Sequence, residues 1–153
     1  MTEATARTIM TRDVITVTPD MPVKAFAQLL LKHGISGAPV LDATGRLTGI
    51  ATEADIIIRD AAVHLPTVVT IFDSIIYLEN PNKYAREFQK IIGGRVEDIM
   101  TQDVLTVGPE TSLPELATLM HEKKRHLLPV MEAGRVIGIV GKADLVRAIA
   151  REE

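Results

Sequence analysis

The chain has 153 residues, a formal net charge of −3 and no cysteine. This length suits one compact domain, or two small halves that share a core. The lack of cysteine excludes disulfides and thiolate metal sites, while the acidic balance and the 3% aromatic content argue against a nucleic-acid binder.

Neither end of the sequence nor its interior predicts a membrane segment. Residues 1–8 are polar and lack the apolar core of a signal peptide. No apolar stretch approaches the roughly 18 residues that a membrane span needs. We therefore expect a soluble protein of the cytoplasm.

An internal duplication divides the chain into two similar copies. Residues 9–11, Ile-Met-Thr, recur unchanged at residues 99–101, and the matches that follow need only one gap. A series of identities at one spacing is the signature of a repeated structural unit. The other matches pair Asp13–Val14 with Asp103–Val104, Thr16–Val17 with Thr106–Val107, Pro39–Val40 with Pro129–Val130, Gly49–Ile50 with Gly138–Ile139, and Ala54–Asp55 with Ala143–Asp144.

The first copy predicts the order strand, helix, strand, strand, helix. Val14–Val17 is a short β-prone run, and apolar residues recur at helical spacing from Pro22 to His33. Ala38–Leu41 and Leu47–Ala51 flank a Gly-containing turn, which predicts a hairpin. A second helix is predicted from Thr52 to about residue 62.

The second copy predicts the same elements. A unit of this kind cannot cover both faces of its small sheet, but two copies can bury each other's faces. The predicted fold class is therefore α/β in the broad α+β sense, with two β-α-β-β-α repeats packed with pseudo-two-fold symmetry. The predicted elements are strand Val104–Val107, helix Leu113–Lys123, strands Leu127–Met131 and Val136–Val140, and a helix from about Lys142 to Arg151.

A segment without a counterpart separates the copies. We interpret residues 63–97 as a helical insert between a first motif at 1–62 and a second at 98–153. A second helix of the insert is predicted from Pro81 to Ile92. The first is predicted from one helical face formed by Leu65, Val68, Val69, Phe72, Ile75 and Ile76.

This insert holds four of the chain's five Phe and Tyr residues. Such an apolar segment is expected to pack rather than to act as a flexible linker. It covers either the module's own core or a surface between subunits.

The duplicated segments resemble the CBS domain family, and the tandem pair resembles a Bateman module. The resemblance spans nearly all of the chain outside residues 63–97. It rests on residues 9–17, Pro39–Val40 and Gly49–Asp55 (Gly-x-x-Thr-x-x-Asp) in the first copy, and on residues 99–101, Arg125–Val130 and Gly138–Asp144 in the second.

This resemblance implies a regulatory module rather than an enzyme. Such modules bind an adenosyl compound, commonly AMP, ADP or ATP and sometimes S-adenosylmethionine, in two clefts between the paired copies. The resemblance further implies disc-like homodimers that control a partner protein by changing shape. No catalytic residue, metal or obligatory cofactor is expected, and a nucleotide would be the regulatory ligand.

The chemistry of Gly49–Asp55 agrees with such a role. Thr52 lies at a predicted helix start, where free N–H groups and the helix dipole favour a phosphate. Asp55 is acceptor-only when ionised, so it can receive both hydroxyls of a ribose. The alternative is that Thr52 is simply an N-cap and Asp55 an acid favoured by the dipole.

The second copy departs from this pattern. Gly141 replaces the threonine, so its hydroxyl is missing, whereas Asp144 remains and could still hold a ribose. Gly141 also allows close backbone approach, and Lys142 adds a charge. We expect two unequal sites or one occupied site.

The segments before each hairpin complete the predicted nucleotide site. The resemblance implies that they line the base and phosphate region through backbone groups and small apolar contacts. Arg125 and His126 are the predicted phosphate contacts. The alternative is that Lys123–His126 is a solvated helix end, which needs no function. The prolines also suit the first residue of a strand, which alone explains them. The residues predicted from these segments and the first strand are Thr16, Ile35, Ser36, Ala38, Pro39, Arg125, His126, Leu128 and Pro129.

Two further functions stay open. A structural dimerisation module whose clefts bind no ligand is motivated by Gly141 and the apolar insert. An enzyme has little support, because the sequence shows no P-loop, no Gly-x-Ser-x-Gly motif and no metal-ligand spacing among its four histidines.

Overall fold

A computed structural model describes residues 3–56 and 94–151, together with the backbone of two short strands between them. Residues 53–56 also begin a helix. In chain order the elements are α1 (Ala6–Ile9), α2 (Val23–His33), β1 (Gly37–Leu41), β2 (Leu47–Thr52), β3 (Val68–Ile71), β4 (Ser74–Tyr77), α3 (Val96–Ile99), α4 (Leu113–Lys123), β5 (Leu127–Glu132), β6 (Arg135–Gly141) and α5 (Lys142–Arg151).

The long helix of each copy begins and ends where the sequence predicts. Gly34 follows α2 in the left-handed conformation, with φ 60°, which glycine adopts without steric cost. Before α4, Ser112 is the N-cap, and its side chain accepts the Glu115 N–H over 3.3 Å.

The two hairpins have the same register. Strands β1 and β2 are antiparallel with Pro39 opposite Ile50, and β5 and β6 are antiparallel with Pro129 opposite Ile139. Each register shifts at the equivalent point, after Val40 and after Val130. The duplication seen in the sequence is therefore also a structural duplication.

The predicted first strand of each copy is much shorter than expected. Val14–Val17 and Val104–Val107 are not strands, and only their last residues form parallel bridges, Val17 to Val40 and Val107 to Val130. The chain turns just before, where the Val14 N–H is bonded to the Arg12 carbonyl. Pro19 follows two residues later and cannot donate to a ladder.

The prediction of one helical face across residues 65–76 is wrong for the described residues. Val68–Ile71 and Ser74–Tyr77 pair as antiparallel strands, with Val69 opposite Ile76. Val, Ile and Thr dominate these segments, and β-branched residues favour strands over helices. The predicted helix at 81–92 lies outside the described residues, and the boundaries 1–62, 63–97 and 98–153 stay predictions.

The short segment that leads into each copy packs on the other copy. Helix α1 belongs to the first copy, yet the Ala6 N–H donates to Thr111 over 2.8 Å and Leu113 donates to Ala4 over 3.1 Å. The equivalent bonds of α3 run from Val96 to Met21 over 2.8 Å and from Val23 to Gly94 over 2.9 Å. Below, residues 4–13 and 94–103 are called the lead-in segments.

This exchange builds two mixed cores. Val96 and Ile99 of α3 lie in the first core with Phe26 and Val40. Ala6 of α1 lies in the second core, which contains Leu116, Leu128 and Val130. A four-residue helix is not stable in water by itself, so α1 and α3 depend on this packing.

Within the described residues, no helix is long and apolar enough to cross a membrane.

Candidate functional site

A cleft of about 1020 Å³ opens between the two copies. The first lead-in segment, the turn after α2, the turn before β5 and helix α5 form its walls. Its lining includes Thr11, Asp13, Val14, Ile15, Ile35, Ser36, Gly37, Glu53, His126, Leu127, Ile139, Gly141, Lys142, Asp144, Val146 and Arg147. Both copies contribute to this lining.

Among the residues that the structure describes, Asp144 is the buried charged residue of this cleft, with 9% of its surface exposed. It lies in the first turn of α5, where its Oδ2 accepts the Gly141 N–H over 2.8 Å. This contact satisfies a free N–H at the helix start. Oδ1 accepts the Thr11 hydroxyl over 3.3 Å and Arg147 Nη1 over 3.2 Å.

Asp55 has the same local geometry in the first copy. Its Oδ2 accepts the Thr52 N–H over 2.8 Å and the Thr52 hydroxyl over 3.2 Å. The carboxylate therefore caps the helix that begins at residue 53. Capping and ligand binding are compatible, because an ionised carboxylate has about four lone-pair sites.

The turns before the hairpins are held against the helix starts. The Lys142 N–H donates to the His126 carbonyl over 3.1 Å, and the Glu53 N–H donates to the Ser36 carbonyl over 2.8 Å. These bonds fix the backbone that carries Ser36 and His126, and both residues are exposed within the cleft lining. A hydroxyl, an imidazole and the start of α5 thus belong to the lining of the same cleft.

The lead-in exchange positions Thr11 opposite Asp144. Thr11 and Ile139 exchange both backbone hydrogen bonds, over 2.9 and 3.0 Å. Thr101 and Ile50 form the equivalent pair over 2.9 and 3.0 Å. Each lead-in segment is therefore an extra edge on the hairpin of the other copy.

Apolar side chains form much of the remaining lining. Val14, Ile15, Ile35, Leu127 and Ile139 belong to it. Small-molecule sites typically combine apolar walls with a few placed polar groups. This cleft has that composition.

The charges of the lining are mixed. Lys142 and Arg147 are cationic, whereas Asp13, Glu53 and Asp144 are anionic. Among the described residues, no group of three or more His, Asp or Glu could hold a metal ion.

The structure separates the residues predicted from sequence into three groups. Ile35, Ser36, His126 and Asp144 line this cleft. Ala38, Pro39, Leu128 and Pro129 are fully buried. Thr16, Thr52, Asp55 and Arg125 lie outside the described lining.

The residues outside the lining have distinct surroundings. Thr16 is exposed, and its neighbours Val14 and Ile15 line the cleft instead. Arg125 Nη2 approaches the Asp103 carbonyl at 3.5 Å, which is at most a weak hydrogen bond. Asp103 is the counterpart of Asp13, so Arg125 lies beside the second lead-in segment. A ligand role for each predicted residue stays a prediction.

Thr11 and Arg147 were missed by the sequence reasoning. Arg147 was detectable, since residues three apart on a helix share a face and Asp144 was already a candidate. Thr11 was not, because it reaches Asp144 only through the exchange of lead-in segments.

Comparison with known proteins agrees with this architecture. The family model of the CBS domain matches residues 6–62 and 96–151. The uncharacterized protein MJ1426 of Methanocaldococcus jannaschii is 34% identical over 131 residues, covering 80% of this chain and 77% of the relative.

Two further comparisons bear on function. The inosine-5'-monophosphate dehydrogenase of Korarchaeum cryptofilum is 34% identical over 142 residues, but these cover 92% of this chain and only 23% of that enzyme. The crystal structure of CBSX2 in complex with AMP matches with a TM-score of 0.71 and 28% identity, covering 96% of each chain.

The family model matches two segments that span most of the chain, and these segments carry the two hairpins and the two exchanged lead-in helices. This chain belongs to the CBS domain family, as a tandem pair of CBS domains.

Proposed function

We propose that this chain binds an adenosyl compound of the AMP, ADP or ATP class between its copies and controls a partner protein through the resulting change in shape. The observation that carries the proposal is the buried Asp144 carboxylate in a cleft that both copies line. The AMP complex of CBSX2 supports this ligand class.

The cleft offers a partner for each part of such a ligand. Asp144 accepts the ribose hydroxyls. The apolar lining, including Ile35 and Ile139, contacts the purine. The phosphate lies near Ser36, His126 and the start of α5, where backbone N–H groups and the helix dipole favour an anion. The proposal is a binding and regulatory module, with no bond-breaking step.

The proposed change in shape depends on the fact that both copies line the cleft. Thr11 belongs to the first copy and Asp144 to the second. A ligand that binds one relative position of the copies more tightly shifts the population toward it. A coupling of about 1–3 kcal/mol to a partner would make a useful switch.

We further propose a second, unequal cleft around Thr52, Asp55 and Arg125. The local capping geometry of Asp55 matches that of Asp144, which supports it. Arg125 lies beside Asp103, the counterpart of a residue in the first cleft.

A cytoplasmic homodimer is the proposed assembly. Leu31 on α2 is 85% exposed, and Ile149 on α5 is also exposed. Large exposed apolar side chains favour a protein contact when they form a patch.

A thermal-shift panel tests the proposed ligand class. It contains AMP, ADP, ATP and S-adenosylmethionine, with GMP as the base control. A ligand that binds only the folded state at 100 times its dissociation constant adds about 2.7 kcal/mol. We expect a shift with at least one adenosyl compound, and its loss in Asp144→Asn. That substitution keeps an acceptor for the Gly141 N–H but removes the charge.

A structural dimerisation module without a ligand is the second candidate. The observation that favours it is that Thr11, Gly141 and Arg147 already satisfy the Asp144 carboxylate. A flat panel together with a stable dimer in sedimentation would support this candidate over the first.

A further inference from the structure

Three donors of the protein itself surround the Asp144 carboxylate. Oδ2 accepts the Gly141 N–H, while Oδ1 accepts the Thr11 hydroxyl and Arg147 Nη1. A ribose cis-diol must donate to this same carboxylate. The ribose therefore competes with at least one of these donors for lone-pair sites.

Arg147 is the donor that a ligand can displace. The Gly141 N–H is part of the backbone, and Thr11 is held by two backbone hydrogen bonds to Ile139. The Arg147 side chain is 58% exposed, lines the cleft and pairs with Asp144. An exposed ion pair contributes little stability, so the hydroxyls of a nucleoside can replace it.

The two copies differ at this position. Asp55 corresponds to Asp144, so the residue equivalent to Arg147 is Ile58. Isoleucine has no donor to offer to the carboxylate. The first copy thus supplies a natural substitution for testing Arg147.

We propose that Arg147 lowers the affinity of the Asp144 cleft for nucleosides by competing with the ribose for the carboxylate. This inference rests on the proposed adenosyl-binding function. It makes Arg147 a residue that sets affinity and makes ligand binding in this cleft dependent on ionic strength. Salt weakens the ion pair, so the competition decreases as the salt concentration rises.

Calorimetric titration with adenosine tests the inference, because adenosine has a ribose and no phosphate. All variants carry Asp55→Asn, which removes the charge of the other candidate carboxylate. Arg147→Ile should tighten adenosine binding by up to about fivefold at low salt, and the gain should shrink at high salt. Arg147→Lys keeps a cation and should restore part of the competition.

Two controls isolate the ion pair. Arg151→Ile removes the same charge from an exposed position of α5 outside the described lining, and it should leave the affinity unchanged. Asp144→Asn should lose adenosine binding whether residue 147 is Arg or Ile, because Arg147 acts only through the Asp144 carboxylate. Thermal melting verifies that each variant is folded.

Each other outcome contradicts the inference in a recognisable way. Unchanged or weaker adenosine binding by Arg147→Ile would overturn it. If Arg147→Ile weakens AMP binding but leaves adenosine binding unchanged, Arg147 is a phosphate contact instead. If neither the parent nor any variant binds adenosine or AMP, the proposed function fails together with this inference.

Discussion

Thr11 and Asp144 lie in different copies, yet the Thr11 hydroxyl donates to Asp144 Oδ1 over 3.3 Å. Their contact depends on the paired backbone bonds between Thr11 and Ile139. The first lead-in segment therefore connects a buried charge of the second copy to the first. Groups from both copies therefore form hydrogen bonds with this carboxylate.

Replacing Thr11 by valine should weaken the Asp144 cleft without unfolding the protein. Valine keeps the shape but removes the hydroxyl that orients Oδ1. A hydrogen bond contributes about 0.5–1.5 kcal/mol net, so adenosine affinity should fall by roughly two- to tenfold. Titration calorimetry measures this change. Thr118→Val, on an exposed face of α4, is the matched control and should leave the affinity unchanged.

Replacing Ile99 by alanine should destabilise the first core rather than the second. Ile99 is buried among residues of the first copy although it precedes the second hairpin. Removing a buried isoleucine typically costs about 2–5 kcal/mol. Denaturant unfolding gives this loss of free energy.

Hydrogen exchange then shows which part of the protein loses stability in Ile99→Ala. Protection should fall first in α2 and β1, whereas an initial loss in α4 and β5 would contradict the exchange of lead-in segments. The exposed Leu31 is the control, and Leu31→Ala should change stability by less than about 0.5 kcal/mol.

Replacing Gly49 by alanine should also destabilise the protein. A Cβ there would lie 2.6 Å from Met100 Sδ and 3.0 Å from the Thr101 carbonyl oxygen. The methionine can move, but the carbonyl belongs to the backbone that pairs with Ile50. Overpacking of this kind costs about 1–3 kcal/mol.

Chemical denaturation measures the free energy of unfolding of Gly49→Ala, with Gly108→Ala as the control. A Cβ at Gly108 would meet nothing within 4 Å. The control should therefore remain close to the parent in unfolding free energy. Equal stability of the two variants would mean that the lead-in segment does not pack tightly on the hairpin.

Asp42 should make the first hairpin sensitive to acid. Hydrogen bonds from the Thr44 hydroxyl and the Arg46 N–H lower the pKa of Asp42. Because the folded pKa is depressed, the stabilisation is present above the ordinary value of about 3.9 and is lost as the pH falls through the folded pKa.

Thermal melting of Asp42→Asn between pH 2 and pH 6 tests this dependence. The stability difference between parent and variant should be largest near pH 6 and should shrink at the acid end. A difference that is constant with pH would show that the Asp42 charge does not stabilise the turn.

Local sequence patterns predicted the duplication and most of the elements within each copy. Apolar spacing predicted α2 and α4, and turn residues predicted both hairpins, because these patterns act over a few neighbouring residues. The match of Asp144 to Asp55 in the repeat, together with the family resemblance, also made Asp144 a candidate ligand residue, and that role stays a prediction.

Tertiary structure alone decided which copy each lead-in segment joins. Nothing local in Ala6–Ile9 or Val96–Ile99 says on which core these short helices pack, since both cores offer similar apolar surfaces. For the same reason the contact of Thr11 with Asp144 could not be predicted. The spacing of apolar residues predicted a helix across residues 68–77. Residues 68–71 and 74–77 form paired strands instead, because β-branched residues favour strands.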